Sequence, residues 1–330
     1  MYLYLQGALD SYNLLMPLNC AGDLNTQYHQ VRGHVAVRNN LQLPITAPLN
    51  SQPCNTFGVH PKMGYLQQTY IQGDTSFVAN IGPLYEYLNK VEFEEASKRT
   101  PPSLFAHNIQ TGETQGVATG DSKAGGVIGR IGDALNLQAG KEIFDAYSIS
   151  GTPKVLEGSP GVSRPADVLT TVGVATFTPS ATEIETNIKA MNKNVADSIF
   201  GETFSDSISS AIARKDLLGS TIEESTLPAQ TESCYKNLKK LETGINLQFK
   251  QVSRIIQQRH NLQAKRDVFY LQLGSFDQHG GDGYTDTAIK LSEINDSLPC
   301  FVEDLKRQGL WNDVTIMSAS EFGRTLTSSK

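Results

Sequence analysis

The chain has 330 residues, 39% of them hydrophobic and 19% charged, with a formal net charge of -6. That is ample material for one large or two ordinary globular domains, and with no Lys/Arg-dense block it argues against nucleic acid as the main partner. No apolar run is long enough to span a bilayer, and no charged, apolar and cleavage regions mark a leader at the start.

The chain opens on the short apolar strand pattern Tyr2-Leu3-Tyr4-Leu5, so a natural N-terminal segment is expected to precede it. Gln6-Gly7-Ala8-Leu9-Asp10 then places a carboxylate just past a strand, although Asp10 equally suits a turn or a helix N-cap. From Asn19 to Pro61 the sequence reads as a loop-rich insertion, with His29, His34 and His60 at no helical ligand spacing. Lys62–Gln72 reads as a short helix, Ser76–Ile81 as a buried strand, and Glu86–Lys98 as an amphipathic helix stopped by Pro101-Pro102.

Ser103-Leu104-Phe105-Ala106-His107-Asn108 follows, then Gly125-Gly126-Val127-Ile128-Gly129-Arg130. Those glycines lack a Walker lysine and a full dinucleotide fingerprint, which favours close helix packing over anion binding. Ala146–Ser150 and Val168–Thr176 read as strands, Ile184–Ile212 as helix in pieces, and Leu217–Thr231 as an exposed acidic loop. A second loop-rich insertion is therefore expected over 151–232. Leu238, Leu241, Ile245, Phe249, Val252 and Ile256 recur at steps of three and four, the stripe of a helix with one buried face.

The stretch that organises the chain comes next. Asp267–Leu273 is a β-branched and aromatic run that reads as a buried strand, and Gly274-Ser275-Phe276-Asp277-Gln278-His279 follows it. In extended backbone, residues i and i+2 point to the same side, so Asp277 and His279 converge past a strand's C-terminal end. That is where open α/β sheets place ligands. Leu291, Ile294, Leu298, Phe301 and Leu305 form another helical stripe, with Pro299 predicting a kink or late start and Gly309 a C-terminal cap. Val314–Ala319 is a further strand, ending in Ser320-Glu321-Phe322-Gly323-Arg324. The strand–helix–strand order is a βαβ unit whose polar tips share one sheet edge.

Asp10, Asp277, His279 and Glu321 thus all follow predicted strands. Three carboxylates on one rim repel unless cations are present, and one or two divalent metals remove that conflict. Mixed oxygen and nitrogen donors suit zinc, manganese, iron or magnesium better than a calcium cage. Such ions activate water and stabilise displacement at phosphorus or sulfur. Arg324 offers a guanidinium fork to an anionic ester, or else a salt bridge supporting Glu321. Of the four cysteines, none in a CxxC pair, Cys20 and Cys54 flank one region and are placed to pair in an oxidising compartment. The alternative is four unpaired thiols, which Cys300 in its apolar helical stretch fits best.

The ordered motifs Gln-Gly-Ala-Leu-Asp-Ser-Tyr-Asn, Phe-Gly-Val-His-Pro, Leu-Phe-Ala-His-Asn, Gly-Val-Ile-Gly-Arg, Leu-Gly-Ser-Phe-Asp-Gln-His and Ser-Glu-Phe-Gly-Arg-Thr-Leu run from one end of the chain to the other. Together they resemble the domain-of-unknown-function 1501 family (DUF1501), which looks like a branch of the alkaline phosphatase and sulfatase superfamily. The resemblance implies a single α/β domain over 1–330, with a mixed, mostly parallel central sheet and helices on both faces. It implies metal ligands at Asp10, Asp277, His279 and Glu321, and export from the cytoplasm; on the hydrolase reading Arg324 and His107 would orient the anion. Three departures stand out. Gly7-Ala8 replaces the family's Gly-Gly, Ala106 replaces its serine, and the chain stops at Lys330, before the Gly-Thr-Asp-His-Gly segment expected to supply a last histidine ligand.

The leading expectation is a metal-dependent hydrolase of small phosphate or sulfate esters. A binding or structural protein keeping the fold is the second reading, and a metal-free carbohydrate enzyme with paired carboxylates the third.

Overall fold

The computed structural model describes residues 1–48, 52–121, 123–159, 165–174, 182–191, 198–238, 244–279 and 283–327. Within them run strands β1 (Tyr2–Leu5), β2 (Leu15–Cys20), β3 (Leu43–Thr46), β4 (Cys54–Val59), β5 (Phe144–Ser148), β6 (Asp167–Val168), β7 (Arg266–Leu273) and β8 (Met317–Ala319). The longer helices are α1 (Leu24–Arg32), α2 (Gly64–Ile71), α3 (Lys90–Glu94), α4 (His107–Gly116), α5 (Val127–Ala139), α6 (Thr182–Met191), α7 (Ile199–Glu223), α8 (Ala229–Lys236), α9 (Gly244–Gln257) and α10 (Gly283–Arg307).

The core is a parallel sheet in the order β6-β5-β7-β1-β8. Strand alternation sorts its side chains onto two faces. Leu3, Leu5, Phe269, Leu271 and Leu273 pack with Ile245, Phe249, Val252 and Ile256 of α9 and with Leu291, Ile294 and Phe301 of α10. On the opposite face Tyr2, Tyr4, Val268 and Tyr270 meet Val155 and Leu156, with Val127 and Ile128 of α5 beside them. The expected α/β class therefore holds, with helices flanking an all-parallel five-stranded sheet. The strand–helix–strand unit is β7-α10-β8, with β1 inserted between its two strands. Among the described residues no helix is long and apolar enough to cross a membrane.

Several local expectations need correcting. The 19–61 region carries more regular structure than its composition suggests, because β3 and β4 lie in it and form an antiparallel sheet with β2, with α1 beside β2. Pro17, Pro44 and a register break near Asn19 hide its alternation. Ser76–Ile81 is irregular, with Val78 and Ile81 exposed, since no strand is there to pair with it. Glu86–Lys98 shrinks to the five-residue α3, started by an Asn89/Glu92 capping box. Leu217–Thr231 is not an exposed loop, because α7 runs to Glu223 and buries Leu218 and Ile222 before α8 begins. The predicted last strand narrows to the three residues that pair with β1.

Other expectations meet the structure directly. The α9 stripe faces the core from Ile245 to Ile256, while Leu241 lies outside the described residues. Helix α10 runs continuously through Pro299, with no late start, and Gly309 sits at a φ of +70° beyond it. Gly126 and Gly129 press against the backbone of Lys154–Gly158, so the glycine cluster is a helix-packing surface. Both cysteine pairs are bridged, Cys20–Cys54 and Cys234–Cys300, the second joining α8 to α10 and removing Cys300 from the free thiols.

Candidate metal centre

The site stands on loops leaving the C-terminal ends of β7, β1 and β8. Two of these loops are laced together, as Gln6 N donates to Leu273 O at 2.9 Å and Phe276 N to Gln6 O at 3.1 Å. Gly7, at a φ of +114°, lets them approach this closely, because a Cβ there would lie 2.3 Å from the backbone nitrogen of Asp277. Ala8 and Ser275 also take left-handed backbone, at +58° and +70°. Such strain persists only where surrounding structure over-determines it.

Glu321, just past β8, is fully buried beneath these loops. Its carboxylate accepts hydrogen bonds from Gly7 N at 2.7 Å, Tyr4 OH at 3.2 Å and Ser320 Oγ at 3.0 Å. Its Oε1 also lies 2.7 Å from His107 Nδ1. Burial alone would raise its pKa, but His107 and the backbone amides of Glu321, Gly7 and Ala8 outweigh it and hold the carboxyl below its ordinary value. An ionised Glu321 requires His107 Nδ1 to donate, which leaves Nε2 as the ring nitrogen that faces outward.

His107 opens α4, which is docked on the sheet through Thr111 Oγ1 and Tyr4 OH, 2.7 Å apart. The Phe322 ring packs on the imidazole with ring centroids 4.8 Å apart. Outward from His107, Nε2 lies 3.4 Å from Asp277 Oδ2, and His279 Nε2 lies 2.7 Å from Asp277 Oδ1. Arg324 Nη1 donates to the same Oδ1 at 3.0 Å, and its Nη2 donates to Gln278 O at 2.5 Å. Asp277 and His279 are exposed, so the group faces solvent over a buried acid.

His107, Asp277 and His279 each offer a ligand atom, all within 4.8 Å of one another. Two imidazole nitrogens directed at one carboxylate, with a buried acid fixing one imidazole, suit a divalent transition metal with open coordination positions. The four ligands expected from sequence are thus distributed differently. Asp277 and His279 converge, while Glu321 stands behind His107 rather than in the ligand group. Asp10 pairs with Arg32 and is not a member. Burial raises the Asp10 pKa and Arg32 opposes that rise, with a net upward shift. Arg324 neither reaches Glu321 nor stands apart, and bridges Asp277 and Gln278 instead.

Sequence reasoning assigned His107 to the anion and passed over Arg32 and Tyr4. The signal for His107 was the Leu-Phe-Ala-His-Asn motif, which does not show which way its ring faces. Arg32 gave no signal, being one basic residue in a polar helix. Ala106 is the N-cap residue of α4 and provides no side-chain capping bond.

A family model described as a protein of unknown function (DUF1501) matches residues 1–330. No curated protein and no solved structure matches the chain.

Proposed function

Starting from a chain that belongs to the DUF1501 family, whose description assigns no activity, we propose a metal-dependent hydrolase of small phosphate or sulfate esters. One observation carries the reading: both histidine Nε2 atoms face the two oxygens of Asp277, beside Arg324. His107, Asp277 and His279 would hold zinc, manganese, iron or magnesium, which when bound activates water and polarises an ester oxygen. Glu321 keeps His107 in the tautomer that presents Nε2. Arg324 is the group to hold the anionic ester, because its fork matches phosphate and sulfate oxygens. The alkaline phosphatase-like relationship is part of this proposal, supported by carboxylates and an imidazole at the strand C-termini. Export is also part of it, supported by the two disulfides, which persist in oxidising compartments.

A second reading, a binding protein that keeps the fold and the metal without turnover, is favoured by Ala106, which puts no hydroxyl beside His107. The two separate in one assay. Protein loaded with zinc or manganese is incubated with 4-nitrophenyl phosphate and 4-nitrophenyl sulfate, with His279→Ala and chelator-treated protein as controls. Turnover lost in both controls is the expected result. A loaded protein that hydrolyses neither ester would leave the binding reading in place.

A further inference from the structure

Arg32 ends α1, the helix beside β2, yet it is only 4% exposed. Its Nη2 pairs with Asp10 Oδ2, and its Nη1 donates to the carbonyls of Thr325 at 3.3 Å and Leu326 at 3.2 Å. The Tyr12 ring lies 6.0 Å from the same guanidinium, centroid to Cζ. The Asp10 carboxylate is itself held by the backbone amides of Tyr12 and Asn13, so the guanidinium it pairs with has a fixed direction.

These contacts complete a clamp on the stretch that leaves β8. At its start Gly7 N donates to Glu321 Oε1 at 2.7 Å and Leu9 N to Ser320 Oγ at 3.0 Å. At its end Arg32, seated on Asp10, takes the carbonyls of Thr325 and Leu326. The loop after β1 therefore ties down both ends, the first directly and the second through Arg32. Arg324 stands between the two ties, with its fork on Asp277 and Gln278.

We propose that Arg32 is a positioning residue for Arg324, fixing the direction from which that side chain meets an anion. The proposal rests on the reading of Arg324 as the group that holds a phosphate or sulfate ester. A fork already held in place loses less freedom when it binds an oxyanion. Loosening its anchor therefore weakens anion binding without removing any contact to the anion.

Calorimetric titration of inorganic phosphate into the full chain, loaded with zinc and freed of unbound metal by gel filtration, tests this. Arg32→Gln should keep its zinc and bind phosphate about 10-fold more weakly than wild type. Arg324→Gln should weaken phosphate at least as much, and adding Arg32→Gln to it should cost nothing further, because the anchor acts through the fork. An equal loss from Arg32→Gln in both backgrounds, or loss of zinc and phosphate together, would reduce Arg32 to a general stabiliser and overturn the proposal. Unchanged phosphate affinity in a folded Arg32→Gln protein would overturn it as well. Should Arg32→Gln fail to fold, Asp10→Asn, which keeps the volume but releases the guanidinium, takes its place in the same cycle with the same expected and contrary results. A zinc-loaded wild type that binds no phosphate, or wild-type affinity in Arg324→Gln, would refute the reading of Arg324, and the proposal with it.

Discussion

The two ends of the parallel sheet carry similar charges and put them to different use. At the N-terminal end, Asp145 of β5, Asp167 of β6 and Asp267 of β7 gather near Arg214 of α7. Arg214 reaches Asp167 at 2.5 Å and Asp145 at 2.7 Å. At the C-terminal end Asp10 pairs with Arg32, Asp277 with Arg324, and Glu321 with His107. Carboxylates and guanidinium therefore do not distinguish a site from a structural clasp. The C-terminal end differs by its two imidazoles, one fixed by a buried acid, and by an exposed carboxylate facing both. Its loops also have the backbone strain that the clasp, built within strands, does not need.

That contrast can be broken or sharpened by substitution, and the largest effect is expected at Gly7. Gly7→Ala drives a Cβ into the backbone of Asp277 at a positive φ, so a loss of about 3 kcal/mol or more is expected, together with loss of metal binding. Urea denaturation and a zinc titration of the variant check both. Glu321→Gln keeps the volume but upsets the tautomer of His107. Metal affinity should fall about 10- to 100-fold while the fold survives, which competition with a zinc chelator would read out.

The clasp makes a prediction about pH. Burial and then the charge of Asp145 raise the Asp267 carboxyl to about 7, against the pull of Arg214. In the unfolded chain Asp267 ionises near its ordinary value, so as pH rises toward 7 the folded state is increasingly penalised for keeping the proton, and above 7 for the buried charge. Asp267→Asn should therefore stabilise the protein above about pH 7, by on the order of 2 kcal/mol after discounting for partial exposure, and change little near pH 4. Thermal melts at pH 4.5 and pH 8 measure this, and equal shifts at both would contradict it. The smallest effect concerns Ala8. Its φ of +58° suits glycine, the residue the family resemblance expects there, so Ala8→Gly should stabilise by about 1 kcal/mol or less in the same melts.

Which of these features could be read beforehand follows from their range in the chain. The apolar runs of β1 and β7 and the polar tips behind them are local, so the parallel sheet and the convergence of Asp277 with His279 were legible. So were the α9 and α10 stripes, because a helix face repeats within a few residues. The pairing of Arg32 with Asp10 and with the carbonyls of Thr325 and Leu326 was not, since it joins segments up to 294 residues apart in the chain. The approach of His107 to Asp277 was missed for the same reason: Glu321, 214 residues away, holds its ring. The antiparallel sheet escaped because its short strands carry prolines and a register break.

On the proposed function, the C-terminal rim binds a divalent metal and the N-terminal clasp does not. Isothermal titration of zinc into metal-free wild type, His107→Ala, His279→Ala and Asp145→Asn tests it most directly. One saturable site in wild type and Asp145→Asn, absent from both histidine variants, is the predicted result. Binding that survives both histidine substitutions but falls in Asp145→Asn would put the metal at the wrong end of the sheet and contradict the account.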